Sequence, residues 1–150
     1  MILDYFKQKM AQMKGTYVSV PLVNKRQFVE FFQDQGVDVV TDAHCTVAYS
    51  RRPFNHKSLT APILVPSYDL LSIEPLGDEG ALVLKFNNDV LQERHARCMK
   101  EGASHDYDSY ITHITNTYTP FENYKNLKIP NFNLIFGAEK VEPLKLDYKK

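Results

Sequence analysis

Two stretches of the chain, "AHCTVAY" (43–49) and "YITHITNTY" (110–118), each set a histidine two residues before a threonine among β-branched and aromatic neighbours. Side chains two apart on a strand point to the same face. His44 is therefore expected to share a face with Thr46 and Ala48, away from Cys45, Val47 and Tyr49, and His113 to share one with Thr115. An imidazole with an ordinary pKa of about 6.5 can take or give a proton near neutrality. A hydroxyl two residues on can donate a hydrogen bond wherever negative charge gathers.

Two copies of this device, facing one substrate, match the needs of phosphodiester cleavage without a metal. One histidine takes the proton of the attacking oxygen, the other protonates the leaving oxygen, and the threonines hold the non-bridging phosphate oxygens. Valine would match the shape of threonine and lose the donor. Five histidines and eight threonines in 150 residues give about 0.3 chance occurrences of the motif, so a single copy would mean little. The weight lies in its repetition at one place in a repeated plan. No metal site is expected: neither motif brings a second histidine or a carboxylate at ligand spacing, and Cys45 faces away from His44.

The elements that must position these residues repeat. "TYVSVPL" (16–22) is rich in β-branched residues and reads as a strand. Asn24 then caps a helix whose Phe28, Phe31 and Phe32 face the core, and Gly36 stops it before the His44 strand. In the second half "ILVPSYDLLSIEPL" and "ALVLKF" are extended and joined by a hairpin at 77–80. Asn87 or Asn88 caps a helix running to Gly102, and the His113 strand follows. The tail "FNLIFGAEKVEPLKL" is strand-like with Gly137 as a bulge, and "MILDYFKQKMAQMKG" reads as an amphipathic helix on Ile2, Phe6, Met10 and Met13. The expectation is one domain over residues 1–150, a pseudo-symmetric α+β fold.

Eighteen basic residues balance eighteen acidic ones, so no global field draws in duplex nucleic acid. No apolar run approaches the ~20 residues that span a bilayer, and no secretion signal opens the chain, so no membrane partner is expected. Two cysteines without ligand spacing fit a reduced, cytoplasmic setting.

Duplicated H-x-[ST] strands in a small α+β chain resemble the two-histidine (LigT-like) phosphoesterase superfamily, here on "HCT" (44–46) and "HIT" (113–115). Within it, the length and the contexts "HCTVAYS" and "YITHIT" are most similar to the anti-CBASS nuclease family of bacteriophages. The resemblance implies two sheet lobes flanking a central groove with helices outside. It implies His44, Thr46, His113 and Thr115 as the catalytic set, with no metal or other cofactor. It also implies a 3′,5′-linked cyclic di- or trinucleotide substrate, an alarm signal of bacterial defence, destroyed in the cytoplasm of the infected host. The ribose 2′-hydroxyl is the expected nucleophile, giving a 2′,3′-cyclic phosphate before water completes hydrolysis. The superfamily also holds RNA 2′,3′-cyclic phosphodiesterases, which stand as one alternative. A non-catalytic cyclic-nucleotide sponge is another, although arginines would serve binding better than paired histidines and threonines.

Around the groove, Arg51, Arg52 and Lys57 in "SRRPFNHKSLTAP" (50–62) suit a second phosphate or a closing lid. Tyr118 could stack on a base, although strict alternation sets it opposite His113. His95 is expected on a helix surface, and His56 and His105 in loops.

Overall fold

The computed structural model describes residues 15–144, so the expected N-terminal helix lies outside the described residues. Among the described residues the fold is α+β, with three small sheets and two α-helices. In the first sheet β1 (Thr16–Pro21) lies between β2 (His44–Ser50) and β8 (Lys140–Pro143), antiparallel to both. The second sheet is an antiparallel meander of β4 (Leu70–Leu76), β5 (Ala81–Phe86) and β6 (His113–Thr117). A two-stranded pair of β3 (Ile63–Val65) and β7 (Leu134–Phe136) forms the third.

Helix α1 (Lys25–Gln33) follows β1, and α2 (Asp89–Lys100) follows β5. Phe28 and Phe32, one turn apart, bury one face of α1, their rings edge to face with centroids 5.0 Å apart. Each such phenyl, fully withdrawn from water, contributes about 1.5–3 kcal/mol. Both helices end where expected. Gly36 (φ 88°) and Gly102 (φ 111°) take the left-handed conformation that lets the chain turn back, and Val37 and Ala103 then close on the carbonyls of Phe32 and Cys98.

The caps differ from expectation. Asn88 accepts the Leu91 N–H at 2.9 Å, as an N-cap should. The Asn24 side chain makes no such bond; it donates to the Asn133 carbonyl and accepts the Ile135 N–H, so β7 has captured the amide that would have capped α1. The tail is likewise not one bulged strand. Gly137 donates to the Pro21 carbonyl where the chain leaves β7 in one sheet and continues to β8 in another.

Strict alternation fails in both histidine strands, and at the same place. Val18 pairs with Ala48 but Ser19 with Thr46, so Val47 is an extra residue in β2. Leu82 pairs with Thr117 but Val83 with Thr115, so Asn116 is an extra residue in β6. As in any bulge, consecutive side chains then point inward: Val47 and Ala48 are buried, as are Asn116 and Thr117. The carbonyls of both bulged residues find partners elsewhere. His95 Nδ1–H donates to that of Val47 at 2.7 Å, and the Val40 N–H to that of Asn116 at 2.8 Å. His95 is therefore not a surface residue; it is buried with its ring stacked on Tyr110 at 4.1 Å.

Residues 51–62 form no helix or strand, as expected, but the segment is pinned to the body of the protein. The fully buried His56 side chain contacts Glu101 (2.5 Å) and Glu139 (2.8 Å). Glu139 also binds Arg94 (2.8 Å) and accepts the Leu59 N–H.

Candidate active site

His44 is the first residue of β2 and His113 the first of β6, and both strands are edges of their sheets. The two edges lie against each other, tied where the Tyr110 hydroxyl donates to the Thr46 carbonyl at 2.6 Å. Between them runs a groove of about 510 Å³. His44, Thr46 and Tyr49 line it from one edge and His113, Thr115 and Tyr118 from the other, with Tyr17, Asp42 and residues 142–144 completing the wall.

The two imidazoles are held alike. Nδ1 of His44 lies 2.8 Å from the Asp42 carbonyl, and Nδ1 of His113 lies 2.8 Å from the Ile111 carbonyl. A carbonyl can only accept, so each Nδ1 carries the hydrogen and each neutral ring keeps its lone pair on Nε2. The tether is available because each histidine opens its strand, where the carbonyl two residues earlier is outside the ladder. Burial, ahead of the neighbouring charges of Lys85 and His44, lowers the His113 pKa against the opposing Ile111 bond.

The bulges explain the tyrosines. Residues 44 and 46 face the groove, Val47 is extra, and the next groove-facing position becomes 49; in the other strand 113 and 115 are followed by 118. Tyr118 thus reaches the groove despite its parity, and Tyr49, expected on the far face, reaches it too. The sequence carried the signal as H-x-T-x-x-Y, present at 44–49 and again at 113–118. Tyr17 is the other residue missed. Its hydroxyl lies 2.8 Å from both His44 Nε2 and Thr46 Oγ1, and no periodicity marks it.

Arg51, Arg52 and Lys57 do not line the groove. The Arg51 guanidinium is paired with Asp106 at 3.0 Å, and Arg52 donates to the Gly102 carbonyl at 2.9 Å, so both arginines fasten the loop to the segment after α2. The expected place of both arginines at a second phosphate is therefore not formed in this structure. A smaller cavity of about 280 Å³ adjoins the groove across Tyr17 and His44, and Lys25 and Lys140 line it.

Among the described residues, the side chains that could converge on a metal ion are His56, Cys98 and Glu101, outside the groove. There burial, chiefly, pushes the Cys98 thiol up to about 12, which disfavours the thiolate a metal needs. Among the described residues no helix is long and apolar enough to cross a membrane. The groove itself offers two imidazoles and two hydroxyls in opposed pairs, a set suited to moving two protons around one anion.

The family model described as "Anti-CBASS protein Acb1" matches residues 14–150. Proteins bearing that name include one from Enterobacteria phage T4, 33% identical over 107 residues, covering 70% of this chain and 68% of the relative. Another, from Vibrio phage KVP40, is 25% identical over 145 residues and covers 93% and 94% of the two chains. A Caulobacter relative is 32% identical over 145 residues, 89% of this chain. This chain spans only 23% of that protein's length, and 18% of a Sphingomonas paeninsulae relative's. The match over residues 14–150 and the shared identity place the chain in the anti-CBASS protein Acb1 family.

Proposed function

We propose that the protein is a metal-independent phosphodiesterase that cleaves 3′,5′-linked cyclic di- or trinucleotide signals, and so disarms bacterial cyclic-oligonucleotide immunity on behalf of a phage. The observation that carries this reading is the opposed placement of His44–Thr46 and His113–Thr115 in one groove, each histidine tethered through Nδ1 to the carbonyl two residues earlier. Family membership supplies the biological direction, because the relatives are named for opposing CBASS defence. The matched bulges and tethers support descent of the two halves from one unit, in the manner of two-histidine phosphoesterases.

In the reaction a ribose 2′-hydroxyl attacks the adjacent phosphorus as one histidine removes its proton. The P–O5′ bond breaks, and the other histidine gives its Nε2 proton to the departing oxygen. The product is a linear nucleotide ending in a 2′,3′-cyclic phosphate, which water opens with the two histidines exchanging tasks. Thr46 and Thr115 donate to the non-bridging oxygens as their charge grows. Tyr49 and Tyr118, one from each edge, offer a ring for each base of a cyclic dinucleotide. Cleavage takes place in the cytoplasm of the infected cell, where such signals circulate.

The test is incubation with cyclic dinucleotides, cyclic trinucleotides and 2′,3′-cyclic mononucleotides in millimolar EDTA, resolved by chromatography. Cleavage of the cyclic oligonucleotides supports the reading. Turnover confined to 2′,3′-cyclic ends would make the protein an RNA-end enzyme, and tight binding without turnover would make it a sponge.

A further inference from the structure

We propose that Tyr17 makes the two His-x-Thr pairs unequal, its hydroxyl committing His44 to the general-acid role in the first, cyclising step and leaving His113 as the general base of that step. The proposal rests on the phosphodiesterase reading above and assigns the roles within it.

The phenol oxygen is 2.8 Å from His44 Nε2 and 2.8 Å from Thr46 Oγ1, and each contact needs one hydrogen. With His44 neutral, its one N–H is on Nδ1 and bound to the Asp42 carbonyl. Tyr17 must then donate to Nε2, and only the Thr46 hydrogen can serve the second contact. Thr46 keeps none for a phosphate. With His44 protonated the chain reverses: Nε2–H donates to the phenol, the phenol donates to Thr46, and the Thr46 hydrogen is free to turn into the groove. Only the imidazolium form therefore presents an acid and a hydroxyl donor together. Burial, against the Thr46 hydrogen bond, pushes the phenol pKa up to about 12, so it remains un-ionised.

Among the described residues no side chain bridges His113 and Thr115 in this way. Tyr17 stands one residue before the register break in β1, and the residue one before the break in β5 is Ala81. His113 keeps its Nε2 lone pair, and burial lowers its pKa, which suits a base. The charged and titratable surroundings are as follows. His44 faces Tyr17 of β1, the Asp42 segment and Glu142 of β8, with Lys25 and Lys140 in the adjoining cavity. The hydrogen-bond chain through Tyr17 is what distinguishes His44 from His113 in contact geometry. His113 faces His44 across the groove and Lys85 of β5, which is bound to Glu74 of β4.

In the first step the 2′-hydroxyl proton passes to His113 Nε2, the 2′-oxygen bonds to phosphorus, and the P–O5′ bond breaks. O5′ replaces the phenol at His44 Nε2 and takes its proton. The Tyr17 hydrogen then turns to the emptied Nε2 and holds the neutral ring. Tyr17 is a positioning residue, acting through His44 and Thr46.

The experiment uses a cyclic dinucleotide and its analogue with sulfur in place of the leaving O5′. A thiolate departs without a proton, so loss of an acid is masked on the analogue and loss of a base is not. His44→Ala should recover on the sulfur substrate by 10²-fold or more, on the scale of about 10²–10⁴ for a general acid. Tyr17→Phe should lose about 10- to 10²-fold in kcat on oxygen, the worth of one hydrogen bond to a charged group. That loss should vanish on sulfur, with KM and thermal midpoint unchanged. His113→Ala should show the same loss, about 10²–10⁴-fold, on both substrates. Rescue of His113→Ala in place of His44→Ala, or equal Tyr17→Phe losses on both substrates, overturns the assignment. Failure of the wild-type protein to cleave either substrate would instead remove the phosphodiesterase reading itself, and this assignment with it.

Discussion

Lys85 lies directly across the β5–β6 ladder from His113, its ammonium bound to Glu74 at 2.9 Å. Burial foremost, with that cation adding to it, holds His113 below the ordinary histidine pKa. A base must be neutral to act, so its activity is lost only as pH falls through the lowered value. The acidic limb of kcat/KM should therefore lie below the usual histidine range of about 6.5. Lys85→Met removes a cation, raises the His113 pKa and should move that limb to higher pH. A pH profile of wild type and variant checks both the position and the direction.

Single replacements in the groove should separate proton transfer from charge stabilisation. His44→Ala and His113→Ala should each lower kcat by about 10²–10⁴-fold while the chain still folds. Thr46→Val and Thr115→Val keep the volume and remove the donor, so kcat should fall by about 10- to 10³-fold with little change in KM. Wild-type turnover should persist in millimolar EDTA. Loss in EDTA with recovery on adding Mg²⁺ or Mn²⁺ would point to a metal-assisted mechanism instead.

The His-x-Thr pairs and the helix stops were legible because each is set locally. Side-chain period within a strand gives the shared face, and Gly36 and Gly102 sit where only a positive φ turns the chain. What lay beyond local pattern was set by partners distant in sequence. Asn24 gave up its cap to β7, and His95 left the expected helix surface to satisfy the bulged Val47 carbonyl. The bulges at Val47 and Asn116 are register events between strands, so no single-strand alternation could bring Tyr49 to the groove. Tyr17 was invisible for the same reason: its role depends on β1 pairing with β2.

The loop arginines illustrate the same limit and yield a third prediction. Arg51 is bound to Asp106 and Arg52 to the Gly102 carbonyl, away from the groove. A double Arg51→Ala, Arg52→Ala variant should keep KM for a cyclic dinucleotide within about 2-fold of wild type, since it removes no contact made at the phosphates. Steady-state kinetics decides this. A rise of a decade or more would mean that the loop swings over the bound substrate.

Glu139 governs stability where the loop, α2 and β8 meet. Burial pushes its carboxyl pKa up, but Arg94, the Leu59 N–H and His56 together outweigh burial and hold it below the ordinary glutamate range. A depressed carboxylate stabilises the fold above its unfolded pKa and ceases to do so as pH falls through the folded value. Glu139→Gln should cost about 3–5 kcal/mol at neutral pH, the usual loss when a buried pair is broken. The difference from wild type should stay flat from about pH 6 to 8 and close below about pH 4. Urea titrations across that range measure it.

The two groove tyrosines discriminate among substrates. Tyr49 and Tyr118 occupy matching positions, each three residues after its threonine and each brought to the groove by a bulge. A cyclic dinucleotide has two bases, and a 2′,3′-cyclic mononucleotide has one. Stacking of a base on an aromatic ring contributes about 1–3 kcal/mol, so Tyr49→Ala and Tyr118→Ala should each raise KM for the dinucleotide by about 5- to 150-fold. Neither tyrosine is placed to move a proton in the scheme above, so kcat should change little. On the mononucleotide only the variant at the occupied ring should be affected. KM values for both variants on both substrates test this, and equal losses on the two substrates would show that the tyrosines shape the groove without reading separate bases.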